Sequence, residues 1–299
     1  MVKKLSDLYL EARRALLTQE EPSDASLLAR ELLCHITGLS REKVIAGTDY
    51  YVQDAQCQEM DQAVQRLLSG EPLAYILGKW EFYGLELYVD KNVLIPRDDT
   101  CALVSMAIQK ALFLGKNPRI LDLCTGSGCI GLAVASRVPD AKLTLADISK
   151  EALAVAKKNT TSLKLTGRVS CVQADARKAP APFLGQFDMI LSNPPYITWE
   201  DMQTLQPSVK EFEPHLALFG GTDGLDFYRS ICFNYKNALK PGGYLGFEFG
   251  INQGDDVCRL LEENGFTVVE RVADNNGIER AVLAQLGKED RYGNEENRV

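Results

Sequence analysis

The stretch Ile120-Leu121-Asp122-Leu123-Cys124-Thr125-Gly126-Ser127-Gly128-Cys129-Ile130-Gly131 reads as a buried strand that runs into a glycine turn and then into a helix. Glycines there let the backbone approach a ligand closely, and the start of a helix offers N–H groups without intrahelical partners. Gly126, Gly128 and Gly131 satisfy G-x-G-x-x-G, and Asp147 closes the next strand 21 residues after Gly126. A carboxylate at that place can accept both hydroxyls of a ribose. The pattern by itself fits a dinucleotide, S-adenosylmethionine, or a tight strand–helix turn with no ligand. Asp122 weighs toward S-adenosylmethionine, because an acid before the loop suits a cationic methionine moiety and sits badly beside a pyrophosphate. Asp175, just after the third strand, is a candidate acceptor for an adenine amine, although an Asp at a strand end is as often merely solvated.

Outward from this stretch the texture is regular. Apolar strand patterns fall at 119–123, 142–146, 169–172, 188–192, 244–249, 267–271 and 281–285, with helical patterns at 129–138, 150–161, 225–239 and 253–264 between them. Such alternation predicts an α/β domain with a mainly parallel sheet covered on both faces. A further helix is expected over 98–113. Residues 1–75 read instead as a small helical bundle: Leu5, Leu8, Ala12, Ala15 and Leu16 recur at helical spacing, as do Leu27, Leu28, Leu32 and Ile36 after Pro22-Ser23-Asp24. Gly38 ends that helix, Ser40 can cap a short one, and 54–69 gives another. The run 80–89 alternates aromatic and aliphatic residues around Gly84, which predicts a β-hairpin within a linking segment, 76–97. The catalytic domain then spans 98–287, and the polar stretch 288–299 is expected to be a disordered tail.

Composition narrows the functions. The 299 residues are 45% hydrophobic and 25% charged, the balance of a globular protein with a sizeable core. The net charge of -8 argues against stable nucleic-acid binding, which needs a basic stripe to neutralise phosphates. Eight cysteines are scattered without a CxxC pair, which suits a reducing cytoplasm better than a disulfide framework or a zinc site. With only His35 and His215, no metal site is expected. No signal-peptide stretch or membrane-length apolar window is evident, so a cytoplasmic protein without a membrane partner is expected.

The second decisive stretch is the apolar run 187–192 that ends in Asn193-Pro194-Pro195-Tyr196. Two prolines lack N–H donors and fix their own φ, so the turn is rigid and its carbonyls point outward. That suits an acceptor-only clamp on a planar nitrogen. The Asn193 side-chain oxygen and the Pro194 carbonyl can each take one N–H of an NH2 group, which turns the nitrogen lone pair toward an electrophilic methyl. Tyr196 can pack its ring on the planar group. Asn193, Pro194 and Tyr196 are thus the candidate catalytic residues, and Asn193 to Tyr196 together the candidate substrate clamp. A rigid proline turn that merely ends a strand is the plainer alternative.

Together these residues resemble the release-factor glutamine N5-methyltransferases, the PrmC/HemK family. The resemblance extends through Gly70-Glu71-Pro72-Leu73-Ala74-Tyr75-Ile76-Leu77-Gly78, Glu81-Phe82-Tyr83-Gly84-Leu85, Leu94-Ile95-Pro96-Arg97, Phe212-Glu213-Pro214, Gly220-Gly221-Thr222-Asp223-Gly224-Leu225, Glu248-Phe249-Gly250 with Gln253, and Asp274, Gly277, Glu279 and Arg280. It implies a class I (Rossmann-like) seven-stranded methyltransferase domain behind a helical substrate-docking domain. S-adenosyl-L-methionine is the implied methyl donor, and the glutamine of the Gly-Gly-Gln loop of peptide-chain release factors the implied acceptor. By position, the resemblance implies that Cys124, Thr125, Gly126, Ser127, Gly128, Asp147, Ala176 and Asn193 line the cofactor.

The chain departs from the family pattern at Cys124, where a glycine is usual and a Cβ must be tolerated, and at Ala176, where a larger residue often stands beside the adenine. Asp98 and Cys101 also depart from it, although Asp99 keeps the first acid of that segment. Competing assignments are a ribosomal-protein glutamine methyltransferase, a DNA adenine-amine methyltransferase, an NAD-dependent oxidoreductase and a non-catalytic binding module.

Overall fold

The computed structural model describes residues 3–47 and 50–287, so the expected tail at 288–299 lies outside the described residues. The chain divides into two compact units: one runs through Lys79 and takes in Gln206–Phe212, and the other comprises Trp80–Leu205 and the chain from Glu213. The first unit contains β1 (Lys3–Lys4), α1 (Leu5–Leu16), α2 (Pro22–Thr37), α3 (Arg41–Ile45), β2 (Tyr51–Val52), α4 (Asp54–Leu68) and α5 (Leu73–Leu77). Leu5, Leu8, Ala12 and Leu16 of α1 form its buried stripe and share a core with Met60, Ala63 and Val64 of α4. The buried stripe of α2 is Ala25, Ala29, Leu32 and Leu33, whereas Leu27 is exposed. Of the four residues picked out by spacing, Leu32 is buried, Leu28 and Ile36 pack against the core, and Leu27 alone faces out, while Ala25 and Ala29 complete the inward stripe. Pro22 begins α2, where its missing N–H costs nothing, and Gly38 ends it at φ 69°.

In the second unit the hairpin strands β3 (Lys79–Phe82) and β4 (Leu85–Tyr88) precede α6 (Cys101–Ala111). There follow β5 (Arg119–Leu123), α7 (Cys129–Arg137), β6 (Lys142–Asp147), α8 (Lys150–Ser162), β7 (Val169–Gln173), β8 (Phe187–Ser192) and α9 (Asp201–Thr204). After α10 (Pro207–Phe212), which belongs to the first unit, come α11 (Asp226–Asn234), β9 (Leu239–Glu248), α12 (Gly254–Glu263), β10 (Phe266–Ala273) and β11 (Glu279–Leu286). Seven strands form one sheet in the order β10-β11-β9-β8-β5-β6-β7, with β11 antiparallel to both its neighbours and the other pairs parallel. Residues of α6, α7 and α8 fill the core on one face, and residues of α11 and α12 fill it on the other.

Several elements differ from the expected spans; the helix expected over 98–113, for one, is a 3-10 turn at Asp98–Thr100 followed by α6. The helix expected over 225–239 ends at Asn234, and a 3-10 turn follows at Lys236–Ala238. Tyr235 leaves the helix there with its side chain buried. Strand β9 starts earlier than expected and carries Lys240-Pro241-Gly242-Gly243 as an irregularity in its pairing with β8. The Lys240 ammonium lies 2.8 Å from the Asp188 carboxylate across that irregularity.

The topology positions the site. Chain order runs β5, β6, β7 to one side and then returns to β8 and β9 on the other, so the strand direction of travel reverses between β5 and β8. Ligands of open α/β sheets bind beyond the carboxyl ends of strands at such a switch point. Leu123 and Ser192 are paired at the ends of β5 and β8, which sets Cys124 and Asn193 side by side.

The hairpin is tied to the loop after β5 by Asn159 of α8. Its amide donates to the Tyr88 carbonyl and to the Ser127 carbonyl, each at 2.9 Å, and its oxygen accepts the Tyr88 N–H at 2.7 Å. Asn159→Ala removes the partner of one buried and two part-buried backbone groups. It is expected to destabilise the protein by about 3 kcal/mol in urea unfolding; a loss under about 1 kcal/mol would show that the tie is dispensable.

Candidate active site

The loop after β5 is held between two carboxylates. Asp122 lies behind it: its Oδ2 accepts the Thr125 hydroxyl at 2.5 Å and the Gly131 N–H at 2.9 Å. Asp147 lies in front: its Oδ2 accepts the Gly126 N–H at 2.9 Å and its Oδ1 the Ser149 N–H at 2.9 Å. The chain turns by placing Cys124 at φ 61°, Gly126 at φ 52° and Gly128 at φ 87°. For Cys124 that left-handed conformation costs on the order of 1–2 kcal/mol, which the hydrogen bonds around it sustain. Gly131 serves close packing rather than turning, since a Cβ there would stand 2.3 Å from Leu145 Cδ2 and 3.0 Å from Asp122 Oδ2.

A cleft opens over this loop, with about 1000 Å³ of empty space including its mouth. Of the expected cofactor residues, Cys124, Thr125, Gly126, Ser127, Asp147, Asp175, Ala176 and Asn193 line it. Asp122 and Gly128 do not. Asp122 shares a face of β5 with Ile120, turned toward α7, and is fully buried. It lies beneath the loop rather than in the cleft wall. Burial pushes its carboxyl up to about 7 against the Thr125 and Gly131 hydrogen bonds, and its Oδ1 has no hydrogen-bond partner among the described residues.

Burial also raises Asp147, opposed by the backbone N–H groups it accepts. Each Asp147 oxygen keeps further acceptor capacity beyond the N–H it already holds. Asp175 accepts the Arg177 N–H at 2.9 Å and lies 3.6 Å from both the Arg177 and Lys178 side chains. Burial pushes the Cys124 and Cys129 thiols well up, so both stand neutral in the cleft wall.

Asn193 and Pro195 line the same cleft, whereas Pro194 and Tyr196 do not. The tetrapeptide is gripped from several sides. Ser192 Oγ donates to the Leu123 carbonyl at 2.7 Å, and Gln253 Nε2 donates to the Tyr196 carbonyl at 3.1 Å. A Cβ at Gly220 would come within 2.6 Å of Tyr196 Cα, and one at Gly250 within 3.1 Å of the Tyr196 ring. Close approach thus accounts for glycines in the 220–224 and 248–250 segments.

Several lining residues were not singled out from sequence. Arg97 lines the cleft with its guanidinium on the buried carboxylate of Glu213, which also accepts the Ile95 N–H at 3.2 Å. Thr100 lines it too, with its hydroxyl 3.4 Å from Asn193 Nδ2. Phe227 adds an aromatic wall beneath the Arg177 guanidinium, 5.7 Å from the ring centroid. Asp99 carries an ion pair to Arg280 at 2.9 Å, so the acid kept in that segment braces β11.

The sheet order, the switch-point cleft and the two carboxylates define a methyltransferase of the Rossmann-like class. The Methyltransferase small domain model matches residues 98–216, and the PrmC N-terminal domain model matches residues 7–78. A release factor glutamine methyltransferase of Clostridium acetobutylicum is 37% identical over 86% of this chain and 90% of its own length. One of Rhodospirillum rubrum is 40% identical over 86% of this chain and 78% of its own length. Among solved structures, the hMettl16 catalytic domain shares the fold at 17% identity, with a TM-score of 0.56 over 80% of this chain and 82% of that one. The chain belongs to the release factor glutamine methyltransferase family, whose methyl donor is S-adenosylmethionine.

The residues present fit that donor. The backbone at Gly126 is bare, with nothing within 4 Å of where a Cβ would be, so a ligand can approach it closely. Asp147 stands beside it with acceptor capacity toward the cleft for paired hydroxyls. Asp147→Ala is expected to weaken S-adenosylmethionine binding by about 10- to 100-fold in isothermal titration, the loss of charge-assisted hydrogen bonds. Unchanged affinity would remove Asp147 from the binding site.

Proposed function

We propose that this enzyme transfers the methyl group of S-adenosylmethionine to the side-chain amide nitrogen (N5) of the glutamine in the Gly-Gly-Gln loop of peptide-chain release factors. The single observation that carries the proposal is the juxtaposition of Asn193 with the carboxylate-bracketed loop at the ends of paired strands β8 and β5. When bound, the cofactor supplies an electrophilic methyl on a sulfonium. Everything else falls to the chain. Asp147 holds the ribose hydroxyls, and Asp175 and Ala176 stand where an adenine would lie.

An amide nitrogen is a poor nucleophile because its lone pair is delocalised into its carbonyl. Asn193 Oδ1 and the Pro194 carbonyl each accept one N–H, which aims the lone pair at the methyl and favours a more tetrahedral nitrogen. These contacts strengthen as the transition state forms, which is what accelerates a reaction rather than merely binding its substrate. The methylated nitrogen then gives its proton to water, so no general base is needed. Tyr196, fixed by Gln253 and Gly250, packs against the planar group.

All eight cysteines are free thiols, which suits a reducing cytoplasm. Among the described residues no helix is long and apolar enough to cross a membrane. The acidic balance supports a protein substrate rather than stable nucleic-acid binding.

The test supplies labelled S-adenosylmethionine with a release factor, the same factor with its loop glutamine replaced, a ribosomal-protein mixture and DNA. Transfer confined to the intact factor is expected; transfer to DNA, or equally to the glutamine-replaced factor, would overturn the proposal. Asn193→Ala is expected to lower turnover by about 10²–10³-fold with cofactor affinity retained. Wild-type turnover by that variant would reduce the tetrapeptide to a turn.

A further inference from the structure

Glu248 is a buried acid that the chemistry above leaves without a task. It ends β9 and is 2% exposed. Strands β8 and β9 are parallel with Ser192 opposite Phe247, so one step further along the ladder Glu248 lies beside Asn193. Its Oε2 has no hydrogen-bond partner among the described residues, and Thr100 and Asn193 are the neighbouring polar groups that lower its proton affinity. Asn193 Nδ2 also reaches Thr100 Oγ1 at 3.4 Å.

An asparagine amide has two ends of nearly equal shape and opposite hydrogen-bonding character. With the oxygen toward the cleft, Asn193 can hold a substrate N–H. With the NH2 toward the cleft, donor would face donor and the clamp would fail. The tetrapeptide backbone does not choose between the two orientations; the groups behind Asn193 do. We propose that Glu248 is the positioning residue for Asn193: its ionised carboxylate, with Thr100, claims Nδ2 and commits Oδ1 to the substrate amide. This rests on the role of Asn193 proposed above.

The surroundings of Glu248 support a titration that acts on this choice. Of the charged groups facing it, Asp99 raises its proton affinity and Arg280 lowers it. Arg280 is itself shared by Asp99 at 2.9 Å and Asp274 at 3.0 Å. The other titratable neighbours are Tyr196, Tyr228, Cys101 and Cys129, all shifted upward and neutral near pH 7. The Tyr228 hydroxyl donates to the Glu248 backbone carbonyl at 2.9 Å.

Burial, the largest effect, pushes the carboxyl up to about 7. A protonated Glu248 gains an O–H that can pair with Asn193 Oδ1 and turn the amide. Methyl transfer therefore loses rate as pH falls through about 7. Stability has the opposite sign. A carboxyl whose folded pKa is raised favours the fold while protonated, and that contribution is lost as pH rises through the folded value. Removing the charge should therefore not weaken the fold at alkaline pH.

The test is Glu248→Gln, whose NH2 can pair with Asn193 Oδ1, compared with wild type, Asn193→Ala and the double variant. Single-turnover transfer to a release factor at saturating cofactor is measured from mildly acidic to mildly alkaline pH, beside cofactor affinity and the unfolding midpoint. Glu248→Gln is expected to slow transfer by about 10- to 100-fold and to abolish the acid limb near pH 7. Cofactor affinity and KM for the release factor should stay within about threefold, with the midpoint at alkaline pH not lowered. The double variant should be no slower than Asn193→Ala.

A wild-type rate with the acid limb intact would overturn the inference. So would a rate loss that tracks lost stability or lost cofactor binding, or a double variant slower than Asn193→Ala alone. Should Asn193→Ala turn over normally, the proposed function of Asn193 fails and the inference with it. If only Glu248→Gln is normal, the inference alone fails.

Discussion

The active site depends on one constraint: a loop with left-handed residues must be held still at the open end of the sheet, and two carboxylates hold it. Asp122 grips Thr125 and Gly131 from behind, and Asp147 grips Gly126 and Ser149 from the front. A buried carboxylate is costly to ionise, and burial raises the proton affinity of both, bringing Asp122 to about 7. Three left-handed residues among the five from Cys124 to Gly128, one of them bearing a side chain, would not persist in an unbraced turn. With the loop fixed, the Asp147 carboxylate that lines the cleft needs no rearrangement to receive a ligand.

The second requirement is that the methyl donor and its acceptor meet, and the sheet order meets it. Because β8 lies beside β5, the loop that follows one strand abuts the tetrapeptide that follows the other. Both halves of the site are thus strand ends in a buried sheet, which hold position better than free loops. Glycines at 220 and 250 let neighbouring backbone close on Tyr196, and Gln253 fastens its carbonyl. The side-chain amide of Asn193 is the remaining free choice, and the groups behind it are Thr100 and Glu248.

Much of this was legible in the sequence because its signals are local. The apolar run into glycines, Asp147 at the next strand end and Asn-Pro-Pro-Tyr after another strand each declare themselves within a few residues. What was not legible depends on residues far apart in the chain. Arg97 and Glu213 are 116 positions apart, and Asn193 and Thr100 are 93 apart. The inclusion of Gln206–Phe212 in the helical unit is a long-range matter of the same kind.

An acid next to a loop reads in sequence as an acid facing a ligand, whereas Asp122 is buried and does not line the cleft. Its shared face with Ile120 puts it against α7 instead. In α2 the periodic hydrophobes mark the inward face apart from Leu27, but Ala25 and Ala29 belong to it too and are too weakly apolar to be read from spacing. An acid between Phe247 and Phe249 at the end of an apolar strand was the available sign that Glu248 is buried.

Location of the transferred methyl group tests the central claim most directly. A release factor would be incubated with this enzyme and S-adenosylmethionine bearing a deuterated methyl, and the peptide containing the Gly-Gly-Gln loop analysed by fragmentation mass spectrometry. The geometry predicts the label on the side-chain nitrogen of that glutamine. Label on a carboxylate, on a backbone nitrogen or on another residue of the factor would contradict it.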